Sequence, residues 1–394
     1  MDNSRGKIFL ISESVGWSGG ATQMLMLAQG LARHGWEVVA ICPRNGTLFA
    51  RASCCGVRTI NWQPFQDYDI AAALKLARLI DAEKPDIIHA HHPMAHAAGL
   101  AACYIAAHRA PFIVSRRVSH PLRRNLFSRF KYKSPRVSGY IAVAEAVAQI
   151  LADYGIAREK ITVVYSGVDE TRFAPRKPDW AVLGELGFPD GMPIIGLIGN
   201  CSRDKGQHIF LAAAAGLLKQ NVKAAFVCAG RDTDGEWIKG EARKLGLGEQ
   251  RLRLLGFRED VPEIISVLSA SVNAAIAGEA VSGSLRESMA MGVPVIASDI
   301  GGHREIIKDG FSGRIFPAGN ASRLAEIMRE SVSKRADALQ MAGKALDFAL
   351  ANLTAAAMVA KTEQRYLELI SRRAAHAESA SDTPGAGPAA QALP

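Results

Sequence analysis

The stretch Val272-Asn273-Ala274-Ala275-Ile276-Ala277-Gly278-Glu279-Ala280-Val281-Ser282-Gly283-Ser284-Leu285-Arg286-Glu287-Ser288-Met289-Ala290-Met291-Gly292-Val293-Pro294-Val295-Ile296-Ala297-Ser298 decides the fold. Two apolar runs of strand length, Val272 to Ala277 and Val293 to Ser298, enclose a small-residue turn and a helical segment, which makes a βαβ unit. Such a unit belongs to a parallel sheet with helices on its faces. Its turn lies at the carboxyl end of a strand, where open α/β sheets bind ligands. The free N–H groups of a helix start at Ser282, Gly283, Ser284 and Leu285 suit a phosphate, while Glu279 and Glu287 suit hydroxyl groups such as those of a sugar. Two acids beside a helix start can equally complement the helix dipole at a solvated surface. Their place after an apolar strand favours the ligand.

Outward from this unit the alternation continues. Strand-like runs fall at Lys7 to Ser12, Glu37 to Cys42, Val57 to Trp62, Asp86 to His91, Phe112 to Ser115, Tyr140 to Ala144 and Ile161 to Ser166. A second set falls at Ile194 to Gly199, Ala224 to Ala229, Leu252 to Phe257, then the two strands above and Arg314 to Phe316. The reading is α/β: two Rossmann-like, doubly wound domains facing a central cleft. Residues 1–170 form the first domain, the Pro-punctuated 171–192 a linker, and 193–352 the second domain. A helix over 353–372, capped by Asn352 or Thr354, is expected to pack back on the first domain. The Ala-, Ser-, Gly- and Pro-rich 373–394 reads as a disordered tail.

With 394 residues, 48% of them hydrophobic and 22% charged, the chain can build two full cores. Its six cysteines form no C-x-x-C pair and mostly fall in apolar runs, so buried thiols in a reducing compartment are expected rather than disulfides or zinc. No secretory leader or membrane-spanning segment is recognised, which points to a cytoplasmic protein. The net charge of +9 suits an anionic partner, and nine Lys or Arg without an acid lie between Arg109 and Arg136. Within that stretch Leu122, Leu126, Phe127 and Phe130 share a helical side. Arg116, Arg117, Arg123, Arg124, Lys131 and Lys133 would then form a membrane or acceptor face, as on an interfacial helix at an anionic bilayer. A basic helix packed over the sheet is the equal alternative. No nucleic-acid-binding motif accompanies the charge.

Three further loops carry chemistry. Gly19 and Gly20 lie between the first strand and helix, where backbone can approach a phosphate, although the spacing is neither Walker nor dinucleotide-binding. The strand ending in His89-Ala90-His91-His92 presents His91 to the cleft; alternate histidines point apart, which argues against a metal. In the second domain Asn200, Arg203 and Lys205 occupy the loop before a helix, where cations neutralise a departing diphosphate. Asp232-Thr233-Asp234 reads as helix-capping chemistry, not a metal motif.

Taken together, Gly19-Gly20, His89-Ala90-His91, Val143-Ala144-Glu145, Tyr165-Ser166-Gly167-Val168-Asp169, Lys205-Gly206, Leu255-Gly256-Phe257-Arg258 and the Glu279 to Glu287 pair make the chain from 7 to about 372 resemble the retaining glycosyltransferases of family 4. The resemblance implies the two-domain GT-B fold, a nucleoside-diphosphate sugar as co-substrate, and no cofactor or metal. It implies that Glu287 holds the donor ribose, Glu279 the transferred sugar, and Lys205 the diphosphate. Phe257 and Arg258 would border the base, the amides of Ser282 to Leu285 would meet the donor, and Gly19 and Gly20 would close from the other domain. His91 matches the family histidine beside the donor sugar. Where the family usually has Arg this chain has Asn200, and Arg203 is the candidate replacement. The implied activity is transfer to a glycan or lipid-linked acceptor in bacterial lipopolysaccharide or other surface-glycan synthesis, peripheral on the anionic inner membrane. A catalytically weak nucleotide-sugar-binding scaffold and a nucleotide-sugar epimerase are the alternatives.

Overall fold

The computed structural model describes residues 5–381. The first sheet comprises β1 (Lys7–Ile11), β2 (Glu37–Cys42), β3 (Arg58–Asn61), β4 (Ile87–Ala90), β5 (Phe112–Arg116), β6 (Val137–Ala142) and β7 (Ile161–Val163). All pair in parallel, in the order β3-β2-β1-β4-β5-β6-β7. Its helices are α1 (Gly19–Arg33), α2 (Thr47–Cys54), α3 (Ile70–Glu83), α4 (Pro93–Ile105), α5 (Leu126–Lys133) and α6 (Glu145–Asp153). After α7 (Trp180–Leu186) the second sheet follows: β8 (Ile194–Ile198), β9 (Ala225–Ala229), β10 (Leu252–Leu254), β11 (Ala270–Asn273), β12 (Val295–Ser298) and β13 (Arg314–Phe316). It is also parallel, ordered β10-β9-β8-β11-β12-β13. Its helices are α8 (Gln207–Lys219), α9 (Glu236–Lys244), α10 (Val261–Ser266), α11 (Gly283–Ala290), α12 (His303–Ile306), α13 (Ala321–Ser333) and α14 (Arg335–Asn352), before α15 (Ala355–Ser381).

Strand alternation explains the layers. β1 sends Phe9 and Ile11 into one core and Ile8 and Leu10 into another on the opposite face. β8 does the same with Ile194 and Ile198 against Ile195 and Leu197. Each such side chain, buried completely, contributes about 1.5–3 kcal/mol. Strands covered on both faces must be apolar throughout, which is why they read as continuous runs. Strand order reverses between β1 and β4 in one sheet and between β8 and β11 in the other. Ligands lie at such switch points.

Three expectations need amendment. The segment 171–192 is not a bare linker: it holds α7, capped by Asp179, and buries Phe173, Val182 and Leu186 in the second domain's core. The helix over 353–372 does not stop there. Alanine-rich sequence of high helix propensity carries α15 on to Ser381, so disorder from 373 is corrected, and 382–394 lie outside the described residues. The strand expected at Val272 to Ala277 begins earlier and ends at Asn273, because beyond it Ile276 N–H turns to Asp204 O (2.8 Å).

α15 lies on the first domain. Glu363 accepts from Trp36 Nε1 (2.7 Å) and Arg5 Nη1 (3.1 Å), and Tyr366 is buried against His89. The two chain crossings between domains bind each other, Val168 N–H to Leu353 O (2.7 Å) and Ala355 N–H to Val168 O (2.8 Å).

Candidate active site

The ends of β1 and β4 build the first wall. His91 is buried and stacks on His89, ring centroids 4.1 Å apart. His89 is locked by Tyr366 Oη at Nδ1 (2.6 Å) and by Ser115 Oγ at Nε2 (2.8 Å). His91 Nδ1 meets Arg117 Nη2 at 3.1 Å. A guanidinium only donates, so Nδ1 accepts and the neutral ring carries its proton on Nε2. Burial, with His89 and Arg117 alongside, holds His91 well below the usual histidine range and so neutral. Its Nε2 is enclosed and has no partner among the described residues. His91 therefore offers one N–H donor to a ligand and no basic nitrogen. Arg117 itself is lowered by burial to about 10 and stays a cation at neutral pH.

The first loop closes over this wall. Ser12 Oγ meets His92 Nδ1 at 2.8 Å, and a methyl group at Gly20 would stand 2.8 Å from His92 Nε2, whereas Gly19 faces open space. Glu13 accepts the N–H groups of Met94 (3.1 Å) and Ala95 (2.9 Å), capping α4 from outside that helix.

The second wall comes from β8 and β11. Gly206 adopts φ +74°, and a Cβ there would lie 1.8 Å from Ala274 O, so only glycine lets this turn sit against the end of β11. The close approach brings Lys205 into an ion pair with Glu279. Beyond them Ser282 caps α11 by position only; its Oγ meets Ser284 Oγ (3.1 Å) and no backbone N–H of the helix. The first amides of α11 are thus left for a ligand. Glu287, on the same helix, is half-buried, and burial raises its carboxyl above the usual range despite Arg286 beside it.

The walls touch. Ser119 Oγ donates to Glu279 O (3.0 Å), two residues beyond the Arg117 that orients His91. Arg286 Nη1 donates to Ser166 O (2.6 Å) and Gly167 O (3.0 Å), while Gln23 of α1 grips Gly167 at both N–H (2.7 Å) and C=O (2.8 Å). Glu305 of the second domain caps α6 of the first, taking the N–H groups of Glu145 (2.7 Å) and Ala146 (2.8 Å).

Several expected site residues lie elsewhere. Arg116 and Lys131 are buried rather than on a membrane face: Arg116 bonds His120 O and Tyr132 Oη (3.3 Å), and Lys131 bonds Pro93 O (2.6 Å). Arg117 serves His91. Only Arg123, Arg124 and Lys133 of those six are exposed. α5 starts at Leu126, so Leu122 to Arg124 are not helical. Arg258 is held by Asp260 (2.6 and 2.8 Å) and Glu185 (2.8 Å), ion pairs that leave little of it for a base. Arg203 lies over the Trp237 ring, 5.9 Å from its centroid. The cation that Asn200 brings close is Arg231, whose N–H reaches Asn200 Oδ1 (3.2 Å) and whose guanidinium lies 5.5 Å from the exposed Phe257 ring. The Asp232-Thr233-Asp234 stretch does not cap α9, whose N-cap is Gly235 with no side-chain cap; Thr233 Oγ1 instead accepts the N–H of Gly256 (3.0 Å).

Residues absent from the sequence reading also converge here. His303 Nδ1 donates to Ser298 O (2.9 Å), leaving a buried Nε2 without a partner among the described residues, near Glu279 and Lys205. It is placed by Gly301 and Gly302, which press on the Glu279–Ala280 backbone. Paired glycines after β12, matching Gly19-Gly20 after β1, were the available signal.

Residues 17–172 match the model for glycosyltransferase family 4, and residues 180–346 that for glycosyl transferases group 1. The D-inositol 3-phosphate glycosyltransferase 1 of Catenulispora acidiphila is 27% identical over 293 residues, 67% of this chain and 68% of that one. In structure, a glycosyltransferase from Rickettsia africae aligns with TM-score 0.83 at 22% identity, over 93% of this chain and 99% of that one. HepE of Anabaena, solved with UDP and glucose, aligns with TM-score 0.78 at 20% identity over 92% and 100% of the two chains. Matched through both halves and built as two facing α/β domains of GT-B type, the chain belongs to the group 1 glycosyltransferases, with a family 4 amino-terminal half, and is a transferase enzyme.

Proposed function

We propose that the protein transfers a sugar, with retention at the anomeric carbon, from a nucleoside-diphosphate sugar to a glycan or lipid-linked acceptor in bacterial lipopolysaccharide or other surface-glycan synthesis. The observation that carries this reading is the Lys205–Glu279 ion pair beside the open start of α11, joined through Ser119 to the loop that orients His91. A diphosphate placed against the α11 amides meets Lys205, and Glu279 and His91 Nε2–H are left to hold the sugar's hydroxyls. Glu287 takes the ribose, and Phe257 with Arg231 borders the base. Arg231, not Arg203, supplies the cation that Asn200 does not.

His91 has no basic nitrogen facing the cleft, so it cannot take the acceptor's proton. The bond between the anomeric carbon and the diphosphate breaks as the acceptor oxygen attacks the same face, and the leaving phosphate oxygen takes the acceptor's proton. Lys205 and the helix amides stabilise the charge that develops on that oxygen, with no metal needed. Contact between the domains excludes water and limits donor hydrolysis.

No described helix is long and apolar enough to cross a membrane. Exposed Arg123, Arg124 and Lys133 would hold the enzyme at the anionic inner face of the plasma membrane. The first test is a thermal-shift screen with UDP-, GDP- and ADP-sugars, since a bound donor raises the midpoint by mass action. The HepE complex with UDP and glucose makes UDP-sugars the first donors to try. Nucleoside diphosphate release and an NMR reading of the product's anomeric configuration follow. Inversion, or binding without release under any acceptor, would overturn the reading.

A further inference from the structure

α3 and α4 pack closely side by side, whereas α5 touches α4 only lightly. Between them runs a groove of about 370 Å³ walled by Ile70, Ala97, Ala101, Ile105, Leu126 and Phe130. Ile70 is 72% exposed, Leu126 82% and Phe130 59%, an apolar concentration that a solvated surface does not require. Most of its polar members are already engaged: Asp69 accepts the N–H groups of Phe65 (3.1 Å) and Ala72 (2.9 Å), Lys131 donates to Pro93 O (2.6 Å) and pairs with Asp67 (3.9 Å), and the Tyr68 ring packs on Phe127 (centroids 4.2 Å apart). A peptide docked there would find almost nothing to satisfy its backbone; a hydrocarbon chain needs no such partner.

A second hollow adjoins it, lined by Arg124, Arg129 and Lys133 with Asp153 and Tyr154. Asp153, its one carboxylate, already accepts from Gln149 Nε2 (2.7 Å). On α5 Leu126 and Phe130 lie one turn apart, as do Arg129 and Lys133, so the apolar row and the cationic row run side by side. Lys131, which lines the groove, bonds the first residue of α4, and that residue follows His91 and His92.

We propose that this groove binds the hydrocarbon chain of an anionic amphiphile whose phosphate lies on Arg124, Arg129 and Lys133. Identifying that amphiphile as the acceptor's lipid rests on the transferase reading; its binding does not.

Calorimetric titration with dodecyl phosphate, below its micelle-forming concentration, tests the proposal on the full chain. Saturable binding is expected. Ala101→Trp, at an exposed position on α4, fills the groove and should weaken it by at least about tenfold. Arg129→Glu with Lys133→Glu should weaken dodecyl phosphate about tenfold and leave dodecyl maltoside unaffected. Inorganic phosphate alone should not bind. Leu126→Glu is a second groove variant should Ala101→Trp misfold. The proposal is overturned if dodecyl phosphate fails to saturate, or if it binds both groove variants as it binds the wild type. It is also overturned if those variants instead change the sedimentation mass, which would assign the groove to a second copy of the chain. A UDP-sugar thermal shift run on the same samples separates the two readings: its absence in the wild type sinks the transferase site and leaves the groove standing.

Discussion

Mild acid should unfold this protein from the site outward. His89, His91 and His96 are each about 1–2% exposed, and burial holds all three well below the ordinary value of 6.5. In the unfolded chain they titrate at that ordinary value. Above pH 6.5 neither state binds the protons, and the stability is fully present. As pH falls below 6.5 the unfolded chain gains protons that the folded one refuses, and stability drops by about 1.4 kcal/mol per pH unit for each group until its folded pKa is reached. At about pH 5 each histidine that is still neutral in the folded chain costs about 2 kcal/mol, a large share of a total near 5–15 kcal/mol. His92, lowered to about 4 by burial, acts in the same direction. Glu13 and Glu287 act oppositely: a carboxyl raised by burial binds its proton more readily when folded, a gain that begins as pH falls through the raised folded value and is complete below 4.5, so it offsets part of the loss. Urea unfolding at pH 7.5 and at about pH 5 measures the difference. His96→Gln, which removes one titrating group away from the cleft, should shrink it by about 2 kcal/mol. A stability that stays level to within about 1 kcal/mol would refute the argument.

Three catalytic predictions accompany this one. Lys205→Ala should lower turnover about 100-fold, the cost of one transition-state electrostatic contact, measured as nucleoside diphosphate release. Arg117→Leu frees the His91 tautomer and should cost about 10- to 100-fold in kcat, from a charged hydrogen bond of about 1.5–3 kcal/mol, with Arg117→Lys recovering part of it. Nitrogen NMR of the His91 ring should show an unprotonated Nδ1 only while the cation is present; an unaltered ring signal in Arg117→Leu would reject that role. Arg231→Met should weaken donor-induced thermal stabilisation while Arg203→Met leaves it near wild type, and the reverse order would return the missing cation to Arg203.

Much of the fold was legible because a parallel sheet covered on both faces demands apolar strands, and all thirteen runs correspond to strands. The position of Lys205, Glu279 and His91 at strand ends was legible for the same reason. Side-chain destinations were not. Nothing local distinguishes Arg116, which is buried on β5, from Arg123, which is exposed seven residues later; only the docking of α5 over the sheet separates them. Arg258 shows the same limit, because its partner Glu185 lies on α7, in a segment whose prolines suggested a linker. Asn200 was read as a missing charge, whereas its carboxamide anchors the backbone of a different arginine.

The contacts between the domains explain why so many site groups depend on both halves. Glu305 follows the glycine pair that presses on Glu279, yet its carboxylate caps α6 of the opposite domain. Arg286 precedes Glu287 on α11, yet it grips the crossing at Ser166 and Gly167 that Gln23 holds from the other side. Ser119 reaches Glu279 from the loop that carries Arg117. In each case a neighbour of a ligand-facing residue binds the other domain, so separating the domains would break several charge-assisted bonds and displace Glu279, Glu287 and Arg117 together. A site wired in this way is complete only when closed. Under the proposed transfer reaction, that arrangement would tie the strength of donor binding to domain closure and would let water reach the anomeric carbon only once the groups proposed to activate the donor had come apart.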